Sequence, residues 1–260
     1  MKKTLLSSLV TAAFAVSSSF AIQGTTSPYS DPAGDISPNV GNGSGTLDIL
    51  GMEVTNNATD ITFTLTLNGN ISTNTGGVDW GKFMIGIATG GTGSATGNGW
   101  ARPINLNSPI GGMDYWIGSW VNAGGGAQLW SYAGGTNGGG TGGAWNQLTN
   151  NSPVFSTLAG ATSTTSYTLT LSSLGLAPND VFYFDAYSSG DGGGDSAIDA
   201  LANPNVSVTN WTVPYTSSTT GDGGVGLNSY QVVPEPTTYA LLTLGALGVA
   251  GYAARRRARK

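Results

Sequence analysis

Apolar and polar residues alternate most cleanly over 61–67, Ile-Thr-Phe-Thr-Leu-Thr-Leu, with a threonine at every second position. A period of two places the apolar set on one face of a strand and the threonines on the other. The preceding apolar stretch, 47–54, is separated from it by Asn56-Asn57-Ala58-Thr59-Asp60, so the two segments are expected to form a hairpin. Further strands are expected at 82–88, 113–121, 127–132, 166–171, 180–188 and 206–213, with 221–233 a tail or last strand. The segments 113–121 and 127–132 flank Asn122-Ala123-Gly124-Gly125-Gly126 and read as a second hairpin. Glycine-rich stretches at 89–99 and 134–143 read as loops, the first of them flexible. No convincing amphipathic helix is visible between 22 and 232. Many short strands with glycine turns predict an all-β fold, an antiparallel β-sandwich.

The two ends carry a different pattern. Lys2 and Lys3 precede a short apolar stretch, 5–16, and Ser19-Phe20-Ala21 fits the small-x-small rule for cleavage after Ala21. Residues 1–21 are therefore expected to be a signal peptide, read by the general secretion machinery. At the other end, Val233-Pro234-Glu235-Pro236 precedes an uncharged run, 237–254, and the chain closes on Arg255, Arg256, Arg257, Ala258, Arg259 and Lys260. An eighteen-residue helix is about 27 Å long, roughly the hydrocarbon thickness of a bilayer. The run is expected to be one C-terminal transmembrane helix in the inner membrane, its five cations cytoplasmic. An ordinary, uncut membrane anchor is the plainer alternative. Proline motif, apolar helix and basic end together resemble the PEP-CTERM sorting signal of Gram-negative bacteria. That resemblance implies export and processing by the membrane protease exosortase. It also implies delivery to the cell surface or extracellular matrix and an association with exopolysaccharide and biofilm. The chain thus divides into 1–21, an outer domain 22–232 and a sorting signal 233–260.

Charge narrows what the outer domain can meet. Two of the nine cations lie in the N-terminal segment and five in the tail, which leaves Lys82 and Arg102. All fourteen acids but Glu235 lie between, so thirteen acids face two bases, a net −11. Such a surface repels nucleic acid; it suits neutral glycans or divalent cations. There is no cysteine and no histidine. This excludes disulfides, the commonest transition-metal ligands and any Ser-His-Asp triad. Glu53 is the one glutamate of the outer domain and no pair of carboxylates stands out, so no catalytic residue is assigned.

Two constellations remain. On 113–121 and 127–132, Trp116, Trp120, Gln128, Trp130 and Tyr132 share one face by parity. Sugar rings stack on such indole platforms while amides complete the hydrogen bonds. The plainer reading makes the face sandwich core, although Ile117, Val121 and Leu129 offer a rival core on the opposite side. The second is a calcium site drawn from Asp31, Asp35, Asp185, Asp191, Asp195 and Asp199. Calcium takes six to eight hard oxygens, and Asp191-Gly192-Gly193-Gly194-Asp195 offers carboxylates with exposed carbonyls. The plainer reading is a set of solvated turns.

Asp31-Pro32-Ala33-Gly34-Asp35 followed by paired strands, and Phe182-Tyr183-Phe184-Asp185 leading into the acidic loop, resemble DOMON-like and family-nine carbohydrate-binding-module sandwiches. The resemblance implies a jelly-roll or DOMON-like sandwich and sugar binding. The expected function is a non-catalytic, exported surface protein that binds neutral polysaccharide. A purely structural surface protein and a glycan hydrolase or lyase are the alternatives.

Overall fold

The computed structural model describes residues 28–40, 46–69, 71, 81–121, 125–134, 144–149, 154–156, 163–218, 226–234 and 255. The first 27 residues, Glu235, Pro236, the run 237–254 and the basic residues 256–260 lie outside them. So do the hairpin turn 122–124 and the second glycine stretch beyond Gly134. Among the described residues no helix is long and apolar enough to cross a membrane.

The described chain is all-β. Strands run β1 (Tyr29–Ser30), β2 (Ile49–Asn56), β3 (Asp60–Leu67), β4 (Lys82–Ala88), β5 (Ile104–Ser108), β6 (Gly111–Gly112), β7 (Tyr115–Trp120) and β8 (Gly126–Gly134). They continue with β9 (Ala144–Thr149), β10 (Val154–Ser156), β11 (Ser163–Thr170), β12 (Val181–Ser189), β13 (Ala197–Ala200), β14 (Tyr215–Ser218) and β15 (Asn228–Gln231). One antiparallel sheet has the order β1-β2-β3-β11-β10; the larger has β13-β12-β4-β7-β8-β9, with β15 also on β12. The β2–β3 hairpin forms as its alternation predicts. Ile61, Phe63, Leu65 and Leu67 are fully buried, while on the wet face Thr62 meets Thr168 at 2.9 Å and Thr64 meets Ser166 at 3.0 Å.

The sheets pack face to face. Phe63 lies 6.1 Å from Phe182 and 6.2 Å from Phe184. Tyr29 stands edge-on to Phe184 at 5.0 Å, and Ser119 hydrogen-bonds the Tyr167 hydroxyl at 2.7 Å. Ile117, opposite Leu129 in the β7–β8 pair, shares the side of β7 that carries Ser119. The inter-sheet core therefore uses the aliphatic side of this hairpin, not its tryptophans.

β4 is buried at every position because the other face of the large sheet is also covered. The segment after β4 crosses it and supplies β5, which pairs in parallel with β14 and antiparallel with β6. Tyr215 of β14 packs on Tyr187 at 6.1 Å. A Cβ on Gly86 would stand 2.9 Å from the Met113 methyl, so the bare backbone of β4 here lets the Met113 side chain of the covering layer lie directly on it.

Several expectations change. Residues 206–213 form no strand; the late strand lies at β14. β1, β5, β6, β9, β10 and β13 were not expected. All are short or poor in alternating apolar residues, and long-range pairing selects them. The glycine stretch 89–99, expected to be flexible, is held by Asp114. Its carboxylate accepts the backbone N–H of Thr89 (2.7 Å), Gly91 (3.2 Å) and Gly93 (2.9 Å).

Candidate functional site

β7 pairs with β8 so that Trp116 lies opposite Trp130 and Gly118 opposite Gln128, which puts the aromatic residues on one face. Its members part in depth. Trp116 is fully buried, stacked on Tyr187 at 6.1 Å under the covering segment, and is closed to a ligand. Trp120, Gln128 and Trp130 are half-buried, and Tyr132 leans on Trp145 at 5.5 Å beside the β9 edge.

A residue outside the expected set completes the face. Trp100, from the segment covering the large sheet, lies 6.3 Å from Trp120 and 6.5 Å from Trp116. Its indole N–H donates to Gln128 Oε1 at 2.7 Å, and the Trp130 indole donates to the same oxygen at 3.1 Å. Glycines seat the rings. A Cβ on Gly118 would lie 2.5 Å from Trp100 Cζ2, one on Gly126 2.6 Å from Trp120 Cε2, and one on Gly99 2.6 Å from Trp130 Cβ. Bare backbone at these glycines lets the rings approach closely, and Trp100, Trp120 and Trp130 stay half-buried.

Trp100, Trp120 and Gln128 line an open cleft of about 290 Å³ with Lys82, Arg102 and Gly193. Both cations of the outer domain are there. Arg102 is buried and donates to Ser189 Oγ (2.8 Å), Asp195 O (3.1 Å) and Gly190 O (3.0 Å). Its guanidinium sits 5.6 Å from the Trp100 ring centre, within cation–π range. Lys82 Nζ pairs with Asp191 at 2.5 Å. Trp100 and Arg102 follow a glycine stretch in sequence. Only their isolation as bulky residues after it marks them.

The six aspartates considered for calcium separate. Asp191 pairs with Lys82, and Asp195 caps its own turn by accepting Gly192 N–H at 2.8 Å. Asp185 is fully buried and accepts Ser217 Oγ–H at 2.5 Å, plus the N–H groups of Ala186 and Ala202 at 2.8 and 2.9 Å. Asp31, Asp35 and Asp199 come together, each placing an oxygen within 4.8 Å of the others. Asp48 joins them, a residue sequence reasoning passed over because it sits at the head of an apolar strand. Burial raises Asp31, Asp35, Asp185 and Asp199 above the usual carboxylate value of 3.8, and repulsion from neighbouring carboxylates adds to it at Asp31, Asp35 and Asp199. Asp31 goes to about 9, Asp35 to about 6, and Asp199 well up. Asp185 rises to about 7, chiefly through burial.

The domain hands over to its C-terminal segment through Asn56. Its amide oxygen accepts Val233 N–H, its amide nitrogen donates to Val233 O, both at 2.9 Å, and the Tyr230 hydroxyl donates to Asn56 Oδ1 at 2.9 Å. Pro234 follows, and Arg255 is exposed. The family model of the PEP-CTERM protein-sorting motif matches residues 232–257, beginning inside this clamp. The chain carries a PEP-CTERM sorting signal. It is accordingly an exported protein, sorted by exosortase at the membrane toward the cell surface. The PEP-CTERM match covers a tenth of the chain and leaves the sandwich unassigned. No curated protein matches the chain.

Proposed function

We propose that the exported domain is a non-catalytic module that binds neutral polysaccharide in the Trp100–Trp120–Gln128 cleft. The observation that carries this reading is a group of half-buried indoles packed on glycines, two of which, Trp100 and Trp120, line an open cleft with Gln128. Apolar ring faces beside an amide match the C–H faces and hydroxyls of sugars. The net charge of −11 on residues 22–232 disfavours polyanions, which agrees with a neutral polymer. The domain's two bases do not form an open anion site, since one is ion-paired and the other is buried with its Nη1 and Nη2 turned to two carbonyls and a serine. A non-catalytic role is supported by where the perturbed carboxylates lie. Asp31, Asp35, Asp185 and Asp199 are not among the residues lining the cleft, and Asp191 beside it is ion-paired with the lining Lys82.

The test is pull-down of the full chain, solubilised in detergent, on insoluble neutral glucans, mannans and galactans. Trp120→Ala, which removes one half-buried wall of the cleft, is expected to lose at least tenfold in binding while the chain still unfolds in a single cooperative transition. Retention of none of these polymers by the native chain would turn the reading to a purely structural surface protein. Release of soluble sugars during the incubation would turn it to a hydrolase or lyase.

A further inference from the structure

We infer that Asp31, Asp35, Asp48 and Asp199 form a calcium site that ties the two sheets together at one edge of the sandwich. This site is separate from the glycan cleft and stands whether or not that cleft binds sugar.

The first observation is the arrangement of oxygens. Ligands on opposite sides of one Ca²⁺ are about 5 Å apart, since each Ca–O bond is about 2.3–2.6 Å. Asp31, Asp35 and Asp199 each offer an oxygen within 4.8 Å of the other two. The chain brings them there from distant places. Asp31 and Asp35 lie in the turn after β1, and Asp199 lies in β13 on the opposite sheet. Asp48 precedes β2, and its Oδ2 accepts Gly34 N–H at 2.9 Å and the Asn68 amide at 2.7 Å. Asp199 Oδ2 accepts Ile49 N–H at 2.7 Å, which holds β13 against the start of β2.

The second observation is independent and points to a ligand. Asp31 is 8% exposed, yet neither of its carboxylate oxygens has a hydrogen-bond partner. Both oxygens of Asp35 and Oδ1 of Asp48, which is 2% exposed, are likewise buried and unpartnered. Buried carboxylates are normally satisfied by donors or by a metal. No protein cation serves here. Lys82 and Arg102, the bases of the outer domain, are engaged at the cleft.

The donor set selects the ion. Several carboxylates on a loop and two strands, with no nitrogen or sulfur ligand, suit a hard cation. Bidentate carboxylates and flexible geometry favour Ca²⁺ over Mg²⁺, which prefers to retain waters in a strict octahedron. The ion would offset two of the four like charges and join the N-terminal turn, β2 and β13. In a chain without cysteine it does the work a disulfide does elsewhere.

The experiment is a thermal melt and calorimetric titration of the full chain in detergent after chelator treatment, with CaCl₂ or MgCl₂ added. Calcium is expected to bind saturably and to raise Tm by several degrees, as expected when only the native state binds. Magnesium is expected to give a much smaller rise. Asp35→Asn is the first variant, since the residue is less buried than Asp31, Asp48 and Asp199 and no donor depends on its carboxylate. It should weaken calcium binding at least tenfold, while Asp195→Asn leaves it unchanged. The native-chain titration needs no variant to fold. Equal Tm with chelator and with calcium, an equal response to magnesium, or loss of binding in Asp195→Asn would each overturn the assignment.

Discussion

The seating of Trp100 on Gly118 makes an unusual prediction about sign. Gly118 lies in the middle of β7 and is not among the glycines with positive φ, so its backbone accepts alanine. Glycine inside a strand costs about 0.5–1 kcal/mol relative to alanine; on backbone grounds alone Gly118→Ala should stabilise. Packing opposes this. The new methyl would sit 2.5 Å from Trp100 Cζ2, where ordinary contact is 3.4–4 Å, so the ring must retreat by about 1 Å. It has little room, being tied to Gln128 at 2.7 Å and flanked by Trp116 and Trp120. Overpacking of this kind costs about 1–3 kcal/mol, and loss of the indole hydrogen bond adds about 1 kcal/mol. The net expectation is destabilisation of about 1–3 kcal/mol, on the order of 5 °C in Tm for a domain of this size. Thermal and urea unfolding of the full chain, followed by tryptophan fluorescence, measure it. In a Trp100→Ala background the same Gly118→Ala change should become neutral or stabilising, a coupling of more than 1 kcal/mol. If Gly118→Ala alone raises Tm, Trp100 does not rest on β7 and the cleft is not built as described.

Arg102→Met should destabilise by on the order of 3 kcal/mol, because the buried carbonyl of Gly190 and the part-buried carbonyl of Asp195 lose a charged donor. Arg102→Lys should recover less than half of that, since one ammonium cannot reproduce the planar fork; full recovery in urea titrations would contradict the role given to the guanidinium. Chelator-treated protein should grow less stable as pH rises. Asp31 and Asp35, raised to about 9 and about 6 from 3.8, hold more protons folded than unfolded between pH 4 and 9. Their contribution is therefore complete below pH 4 and lost as pH climbs through those values. Saturating calcium should flatten or reverse the slope, and a chelated protein whose Tm increases from pH 5 to pH 8 would refute the buried, unneutralised cluster.

The strands legible in sequence were those whose neighbours share one rule. β3 alternates because one face meets the other sheet and one meets water. β4 reads as a nearly unbroken apolar run because both its faces are covered. β13 and β14 gave no such signal: a strand of four residues is stabilised by the sheet it joins rather than by its own pattern. The parity of Trp116, Trp120, Gln128 and Trp130 was likewise readable, since a side-chain period of two needs no partner to be counted.

The sequence by itself determined the address and the chemistry on offer. The PEP-CTERM signal is local, a proline motif next to an apolar run and a basic end, and local order is what a sequence records. The absence of histidine and cysteine and the net −11 are fixed by counting. Tertiary structure alone decided which aspartates meet, putting Asp48 with Asp31, Asp35 and Asp199 and sending Asp191 to Lys82. It alone laid Trp100 beside Trp120 and buried Trp116. Those outcomes depend on contacts between residues up to 168 positions apart, as with Asp31 and Asp199. Which of many acids or indoles become neighbours is set by how sheets stack and what covers them, information that no single segment holds.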